Sequence, residues 1–195
     1  MTDFNTILFP VDLSPASPKL VPYVVAMADK FQADIHMLFV ARRFQHLSDM
    51  YIPAPDIYTF EQGIFEGAER RLDEFKDAYF KASVEAEAGS PLDLSSEQIG
   101  PAPGTEDLDR FKKKYFLSPD KIHTKVVSGD PSEEIIGYVE TEDIDMIIMG
   151  THGRKGLNKI VFGSVAERVV KYAPIPVLVI NPYQERNRGR LSDQE

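Results

Sequence analysis

The chain has 195 residues, of which 43% are hydrophobic, so it can bury one sizeable core, and its length favours a single domain. Its 22 lysines and arginines face 31 aspartates and glutamates, and the formal net charge of −9 argues against nucleic acid as a general partner. The lack of cysteine excludes disulfide scaffolds, thiol catalysis and zinc–thiolate sites, and the lack of a signal-peptide pattern or a long apolar run predicts a cytoplasmic protein without a membrane helix.

The first part of the chain predicts a strand followed by a helix. Thr6–Val11 is a β-rich apolar run, and a polar turn with two prolines leads from it into a helical pattern that extends to about Phe31. Ser17 before Pro18 is typical of a helix N-cap with proline at the first helical position. Pro22 lies inside this predicted helix, where we expect it to cause a kink.

The middle of the chain is less regular. Asp34–Ala41 predicts a second strand, and residues 42–58 form an aromatic and proline-bearing stretch that predicts a long loop. Residues 89–105, rich in glycine, proline, serine and acidic residues, predict a flexible surface insertion, although a partner-binding arm fits the same composition. Between them a long amphipathic helix is predicted to end near Ala88, with its core face at Ile64, Ala68, Leu72, Phe75 and Tyr79.

The C-terminal half predicts three further strands, at Ile122–Val127, Ile144–Met149 and Val177–Ile180. Asp130, followed by Pro131 and Glu133, is typical of an N-cap with a capping box. Five short strands separated by helical segments predict an α/β fold with an open, doubly wound parallel sheet and helices on both faces. We expect one domain over residues 1–183 and a polar tail over residues 184–195.

Three glycines and a serine follow the fourth predicted strand. Gly150 and Gly153 stand in the loop after this strand, and Gly163 and Ser164 stand at the start of the next helix. Glycine lets a ligand approach the backbone closely, and a helix N-terminus presents unpaired N–H groups and a partial positive charge. This arrangement favours a phosphate-binding site, although glycines in such positions also serve turn geometry alone.

Other side chains in and beside the loop have functional and purely structural interpretations. Arg154, Lys155 and Lys159 suit a small polyanion, or they form a solvated charge cluster. His152 is interpreted as a loop or phosphate-facing residue and not as a base, because no second ligand or catalytic partner stands near it in the sequence. Ser164 lacks the G-x-S-x-G pattern of a nucleophile. We therefore predict no catalytic residue and, with the other histidines His36, His46 and His123 scattered, no metal site.

The strand order decides where these segments meet. In an open parallel sheet, ligands bind beyond the carboxyl ends of the strands, where the strand order reverses. With the order 3-2-1-4-5, the first and fourth strands are neighbours, so Asp12 is expected beside Gly150. Asp12 also suits a purely local role as the cap of the turn that it begins.

Several motifs resemble the ATP-binding branch of the universal stress protein family. They are the spacing Gly-x2-Gly-x9-Gly-Ser from Gly150 to Ser164, the sequence from Pro10 to Ser14, and Gly129-Asp-Pro131. The resemblance covers residues 4–41 and 121–181. It implies that the aspartate after the first strand contacts the nucleoside, that backbone near the end of the second strand holds adenine, and that the glycine loop and its serine hold ribose and phosphates. The implied site residues are Pro10, Val11, Asp12, Val40, Met149, Gly150, Gly153, Gly163, Ser164 and Val165, with Arg154 and Lys155 added for their charge and position.

The resemblance implies a stress-response regulatory protein that binds ATP, with Mg or Mn bridging the phosphates, and hydrolyses it slowly at most. Two alternatives remain open: an ATP hydrolase or nucleotidyl transferase on the same fold, and a family member that has lost the nucleotide. A homodimer is also expected, because the last strand is apolar on both faces and would form an edge of the sheet. Its contact residues would be Val177, Leu178, Val179 and Ile180, unless the tail covers this edge in a monomer.

Overall fold

The computed structural model describes residues 4–42, 54–80, 118–151 and 162–182. The strands are β1 (Thr6–Val11), β2 (Asp34–Ala41), β3 (Ile122–Ser128), β4 (Met146–Gly150) and β5 (Val177–Ile180). The helices are α1 (Val21–Phe31), α2 (Ala54–Tyr79), α3 (Pro131–Thr141) and α4 (Ser164–Tyr172), and short 3-10 helices cover Ser17–Leu20 and Pro119–Lys121. The predicted insertion at residues 89–105 and the predicted tail at residues 184–195 lie outside the described residues. No described helix has both the length and the apolar character that a membrane crossing requires.

The five strands form one parallel sheet in the order β3-β2-β1-β4-β5, which confirms the predicted topology. β1 lies at its centre, where Ile7 pairs with Ile35 of β2 on one side and with Met146 of β4 on the other. The helices cover both faces, as predicted. One core cluster joins the sheet to α1 and α2, and a second joins it to α3 and α4. The connection that follows β1 therefore crosses one face of the sheet, and the connection that follows β4 crosses the other.

Alternating side chains of β1 explain how one strand serves both clusters. Ile7 and Phe9 are fully buried in the cluster with α1 and α2, whereas Leu8 is fully buried in the cluster with α3 and α4. Successive side chains of a strand point to opposite faces, so a central strand with helices on both faces is apolar throughout. This is why the sequence of β1 is a continuous apolar run.

The start of α1 differs from the prediction. Ser17 lies inside the 3-10 helix and makes no capping bond to it, so its prediction as an N-cap was wrong. Its hydroxyl donates a hydrogen bond to Asp12 Oδ1 at 2.9 Å. Because α1 begins only at Val21, Pro22 stands in its first turn, where the missing N–H has no helical acceptor to lose. The predicted kink was therefore wrong as well.

The long second helix is present, but both of its ends are shifted. α2 begins at Ala54, so residues 54–58 of the predicted loop are helical, and the helix ends at Tyr79, before Ala88. Pro55 follows the first helical residue, a position that accepts proline, which explains why a proline-bearing stretch enters the helix. The predicted core face is confirmed by buried Ala68, Leu72, Phe75 and Tyr79, with Ile64 half-buried.

Asp130 caps α3 as predicted. Its Oδ1 accepts hydrogen bonds from the backbone N–H groups of Ser132 at 3.0 Å and Glu133 at 3.2 Å, and from the Ser132 hydroxyl. The Ser132 hydroxyl is the largest of the influences that hold the pKa of Asp130 below its usual range. The Glu133 carboxylate pairs with Arg168 of α4 at 3.3 Å. The N-terminus of α3 is thus stabilised by its own cap and by a contact with α4.

We expect Asp130→Ala to lower the free energy of unfolding by about 0.5–2 kcal/mol, the usual cost of losing an N-cap. Asp130→Asn keeps an acceptor oxygen and is expected to lose much less. Because the folded state lowers the pKa of Asp130, its contribution is present above the unfolded pKa of 3.8 and decreases as the pH falls through the folded value. Urea denaturation at pH 7 and pH 3 measures both effects. Equal stabilities of the alanine variant and the wild type at pH 7 would contradict this role.

Candidate functional site

The carboxyl ends of β1 and β4 lie side by side at the centre of the sheet. Ile7 pairs with Met146 and Leu8 with Ile147, so counting along both parallel strands places Val11 beside Gly150. Beyond these residues the chain turns from β1 to the face with α1 and from β4 to the face with α4. Such a reversal leaves a crevice at the carboxyl edge, which is where ligands bind in open α/β sheets.

Thr151 joins the end of β4 to the start of α4. It is buried, with 6% exposure, and its backbone N–H donates to the Ile180 carbonyl at 2.9 Å. Its carbonyl accepts from the N–H of Gly163 at 2.8 Å. The helix start is therefore held directly against the carboxyl end of β4, although residues 152–161 of the connecting loop lie outside the described residues. Thr151 was not predicted as a site residue, although its position between a buried strand and a glycine loop could have indicated it.

The N-terminus of α4 presents backbone donors at this edge. Gly163 is its N-cap, and the first helical hydrogen bond runs from Glu167 N–H to the Gly163 carbonyl at 2.9 Å. The N–H groups of Ser164, Val165 and Ala166 precede this bond and have no acceptor within the helix. Ser164 is also exposed. These donors and the positive end of the helix dipole favour an anion here.

Gly163 has an ordinary backbone conformation. Its φ of −67° and ψ of 154° are extended values that any residue adopts. The backbone angles therefore do not require glycine at this position, and a glycine here places no side chain beside the helix N-terminus.

Asp12 is held by the turn that follows β1. Its Oδ1 accepts hydrogen bonds from the Ser14 N–H at 3.0 Å and from the Ser17 hydroxyl at 2.9 Å. The local capping role that the sequence left open is therefore present. Both bonds use the same oxygen, so the turn orients the carboxylate while Oδ2 lies outside these two hydrogen bonds. Next in the chain, Leu13 has a left-handed φ of 53°.

The remaining predicted residues divide into described and undescribed ones. Val11 and Met149 are buried in the core, Pro10, Val40 and Gly150 are half-buried, and Val165 is half-buried on α4. The first five stand at the carboxyl ends of β1, β2 and β4, so they can offer backbone groups and apolar surface to a ligand. The loop residues His152, Gly153, Arg154, Lys155 and Lys159 lie outside the described residues.

A cation that sequence analysis overlooked lies between α3 and α4. Arg168 Nη1 is 3.3 Å from Asp130 Oδ1, and Nη2 is 3.3 Å from Glu133 Oε1. All three side chains are at least 45% exposed, so the ion pairs stabilise the protein weakly. Their geometric effect is to link the first turn of α3 to the second turn of α4, two helices that both begin at the carboxyl edge of the sheet.

The described part of the chain contains no group of three or more histidine, cysteine, aspartate or glutamate residues placed to hold a metal ion. Magnesium commonly keeps several waters and binds to proteins together with substrate phosphates. A divalent cation held by the phosphates of a ligand would therefore need no dedicated protein cage.

Comparisons with known proteins agree on one family. A family model described as the Universal stress protein family matches residues 3–181. The chain is 29% identical to Universal stress protein MJ0577 of Methanocaldococcus jannaschii over 177 residues, which are 91% of this chain and 94% of that protein. It is 39% identical to Universal stress protein MJ0531 of the same organism over 106 residues, which are 53% of this chain and 62% of that protein.

Solved structures share the fold. The structure of MJ0577 has a TM-score of 0.60 at 22% identity and covers 94% of this chain and 99% of its own. The universal stress protein UspA from Lactobacillus plantarum has a TM-score of 0.59 at 24% identity and covers 93% of this chain and 100% of its own. At these identities the likeness supports the α/β architecture and the strand order.

Proposed function

The chain belongs to the universal stress protein family, and we propose that it is a regulatory protein that binds ATP in the crevice between β1 and β4. The observation that carries this proposal is the hydrogen bond between Gly163 N–H and the Thr151 carbonyl, 2.8 Å long. It holds the donor-rich start of α4 against the carboxyl end of β4, beside β1. Backbone donors suited to phosphate and the crevice between β1 and β4 therefore lie at the same edge of the sheet.

The phosphates are proposed to bind at the start of α4. The N–H groups of Ser164 and Val165 and the Ser164 hydroxyl would donate to phosphate oxygens, with Gly163 leaving room for their approach. From the sequence, Gly153, Arg154 and Lys155 would add backbone donors and positive charge. Mg or Mn would enter on the phosphates, and its contribution there is to neutralise their charge.

The nucleoside is proposed to bind at the carboxyl ends of β1 and β2. In the parallel ladder Val11 pairs with Phe39, so Val40 stands one residue beyond the end of β1. Asp12 Oδ2 would accept a hydrogen bond from the nucleoside, while Oδ1 keeps the turn in place. The backbone of Pro10, Val11, Val40, Met149 and Gly150 would line the remainder of the site.

We expect ATP to act as a regulatory ligand and to be hydrolysed slowly at most. Phosphoryl transfer needs a residue that positions the attacking water or accepts its proton. The sequence offers only His152 near the phosphate side, and it lacks a sequence neighbour that would orient it as a base. Turnover of labelled ATP by the purified protein distinguishes this regulatory role from that of an efficient hydrolase or nucleotidyl transferase.

A pair of variants tests the proposed orientation of the nucleotide. Asp12→Asn keeps the Oδ1 acceptor of the turn and is expected to weaken ATP and adenosine binding equally, by about 1.5–3 kcal/mol for a lost charged hydrogen bond. Ser164→Ala is expected to weaken ATP binding much more than adenosine binding. Titration calorimetry with both ligands measures the four affinities. Equal losses for both ligands in both variants would show that the orientation is reversed or wrong.

We also propose that the protein is a homodimer through β5. This strand pairs with β4 on one side only and is an edge of the described sheet. Leu178 is 37% exposed, and Val177, Val179 and Ile180 are half-buried, so apolar surface remains accessible along the edge. Pairing with a second copy across a two-fold axis would satisfy the free backbone groups and cover these side chains.

A further inference from the structure

Two histidines that are far apart in the sequence form neighbouring rings at the β3 edge of the sheet. His36 of β2 pairs with His123 of β3 in the parallel ladder, and their ring centroids are 4.9 Å apart. The two other histidines of the chain, His46 and His152, lie outside the described residues. The nucleotide site proposed above is at the carboxyl ends of the strands, whereas His36 is only the third residue of β2.

Helix α3 covers the ring of His36, which is the inner ring of the pair. His36 is half-buried, and its Nδ1 lies 3.1 Å from the hydroxyl of Tyr138, with the two ring centroids 5.9 Å apart. On the other side, its ladder partner in β1 is the fully buried Leu8, which brings no charge. His36 is therefore one contact of the second half of α3 with the sheet, beside the apolar contact of Val139 with the core cluster of Leu8 and Leu38.

The outer ring, that of His123, has a carboxylate in direct contact, whereas the inner ring, that of His36, has no counter-charge in direct contact within the described part of the chain. His123 is 48% exposed in its side chain, and its Nε2 lies 3.4 Å from Asp34 Oδ2. The same carboxylate also faces Lys121, whose Nζ is 3.5 Å from Oδ1. An imidazolium at His123 is thus hydrated and paired, whereas one at His36 is partly desolvated and lies next to a second imidazole.

We propose that His36 and His123 form a proton-binding pair that loosens α3 from the β2–β3 edge when the pH falls below about 6.5. The hydrogen bond between Tyr138 and neutral His36 can run in either direction, whereas an imidazolium can only donate. The second proton taken up by the pair places two like charges on adjacent rings beneath α3. Moving α3 away lets water reach His36 and relieves both the desolvation and the repulsion.

The pKa of His36 is shifted in the direction that this mechanism requires. Burial lowers the pKa of His36 and His123 lowers it further, while Glu142 at the end of α3 and Asp34 raise it by less. A folded pKa below the unfolded value of 6.5 means that the folded state binds fewer protons. The stabilising contribution is complete above that unfolded value and is lost as the pH falls from it through the lower folded pKa.

The helix that would respond is connected to the other end of the sheet. α3 begins after Asp130, and Asp130 and Glu133 at its start contact Arg168 of α4. A movement of α3 on acidification would therefore change its contacts with Arg168 of α4, the helix that begins at the carboxyl edge of the sheet. The proton-binding pair itself does not depend on a nucleotide, so it can be tested in the protein without ligand.

The test is an NMR titration of the imidazole protons of the full chain, together with amide hydrogen exchange of α3 at pH 7 and pH 5. We expect His36 to titrate below the midpoint of a free histidine, and His123→Gln to raise that midpoint by about 0.5 pH units or more, because a like charge is removed. Exchange at Tyr138–Thr141, corrected for the intrinsic rate, is expected to become about tenfold faster at pH 5 than at pH 7, and His36→Gln is expected to abolish this difference.

Tyr138→Phe provides a control that keeps the ring packing against His36 and removes only the hydroxyl. It is expected to preserve the response to His123→Gln, because that response depends on the two imidazoles. A His36 midpoint equal to that of free histidine, or one that His123→Gln leaves unchanged, would overturn the proposal. The same acceleration of exchange at pH 5 in His36→Gln would overturn it as well.

Discussion

Gly163→Val is expected to weaken ATP binding at least about 100-fold while the protein stays folded. Loss of two hydrogen bonds from N–H groups to phosphate, at about 1.5 kcal/mol each, gives a loss of this size. The valine side chain would occupy the space beside the N–H groups of Ser164 and Val165, where the phosphates are proposed to lie. The backbone at residue 163 has extended dihedral angles, so valine adds no backbone strain there.

The matched control is Gly137→Val, the same substitution at an exposed glycine of α3. A Cβ atom added there would meet no atom within 4 Å, so this variant should bind ATP as the wild type does. Titration calorimetry measures the affinities, and circular dichroism checks that both variants are folded. Unchanged ATP affinity in folded Gly163→Val would remove the start of α4 from the site.

Leu178→Lys is expected to convert the proposed dimer to monomers, weakening association at least about 100-fold. A two-fold interface along β5 would bury the substituted residue of both copies, and two unpaired lysines of like charge would then lie close together. Sedimentation velocity over a range of protein concentrations measures the effect. A wild-type protein that remains a monomer at high concentration would contradict the proposed interface.

Tyr23→Lys is the control for this experiment. Tyr23 is 38% exposed on α1 and Leu178 is 37% exposed on β5, so both changes place a lysine at an equally accessible apolar position. Only the one on the edge strand should alter the sedimentation coefficient. Dissociation by Tyr23→Lys to the same extent would show that added charge, and not its position on β5, separates the subunits.

Much of the fold could be predicted because its signals are local. Continuous apolar runs such as Thr6–Val11 mark strands buried on both faces, and the alternation of strands with helices determines the parallel architecture. Asp130 was predicted as a cap because Pro131 and Glu133 follow it in the pattern of a helix start. The same reasoning gave a wrong prediction for Ser17, because its hydroxyl donates a hydrogen bond to Asp12, five residues earlier in the chain.

The contacts between distant segments could not be predicted from the sequence. The Thr151 bonds to Ile180 and Gly163 depend on where β5 and α4 end, and the approach of His36 to His123 depends on the register between β2 and β3. A shift of one residue would move one of the rings to the opposite face of the sheet. The proposed nucleotide crevice followed from topology and a family resemblance, whereas the histidine pair depends on a register that the sequence does not reveal.

The central claim is that an adenine nucleotide binds in the crevice between β1 and β4. The most direct measurement is the nucleotide content of the protein after purification without added ligand, released by denaturation and identified by chromatography and mass spectrometry. We predict that ATP or its hydrolysis product is released from the wild type and is absent from folded Gly163→Val. Wild-type protein that releases no adenine nucleotide, and that also fails to bind ATP when it is titrated, would contradict the account.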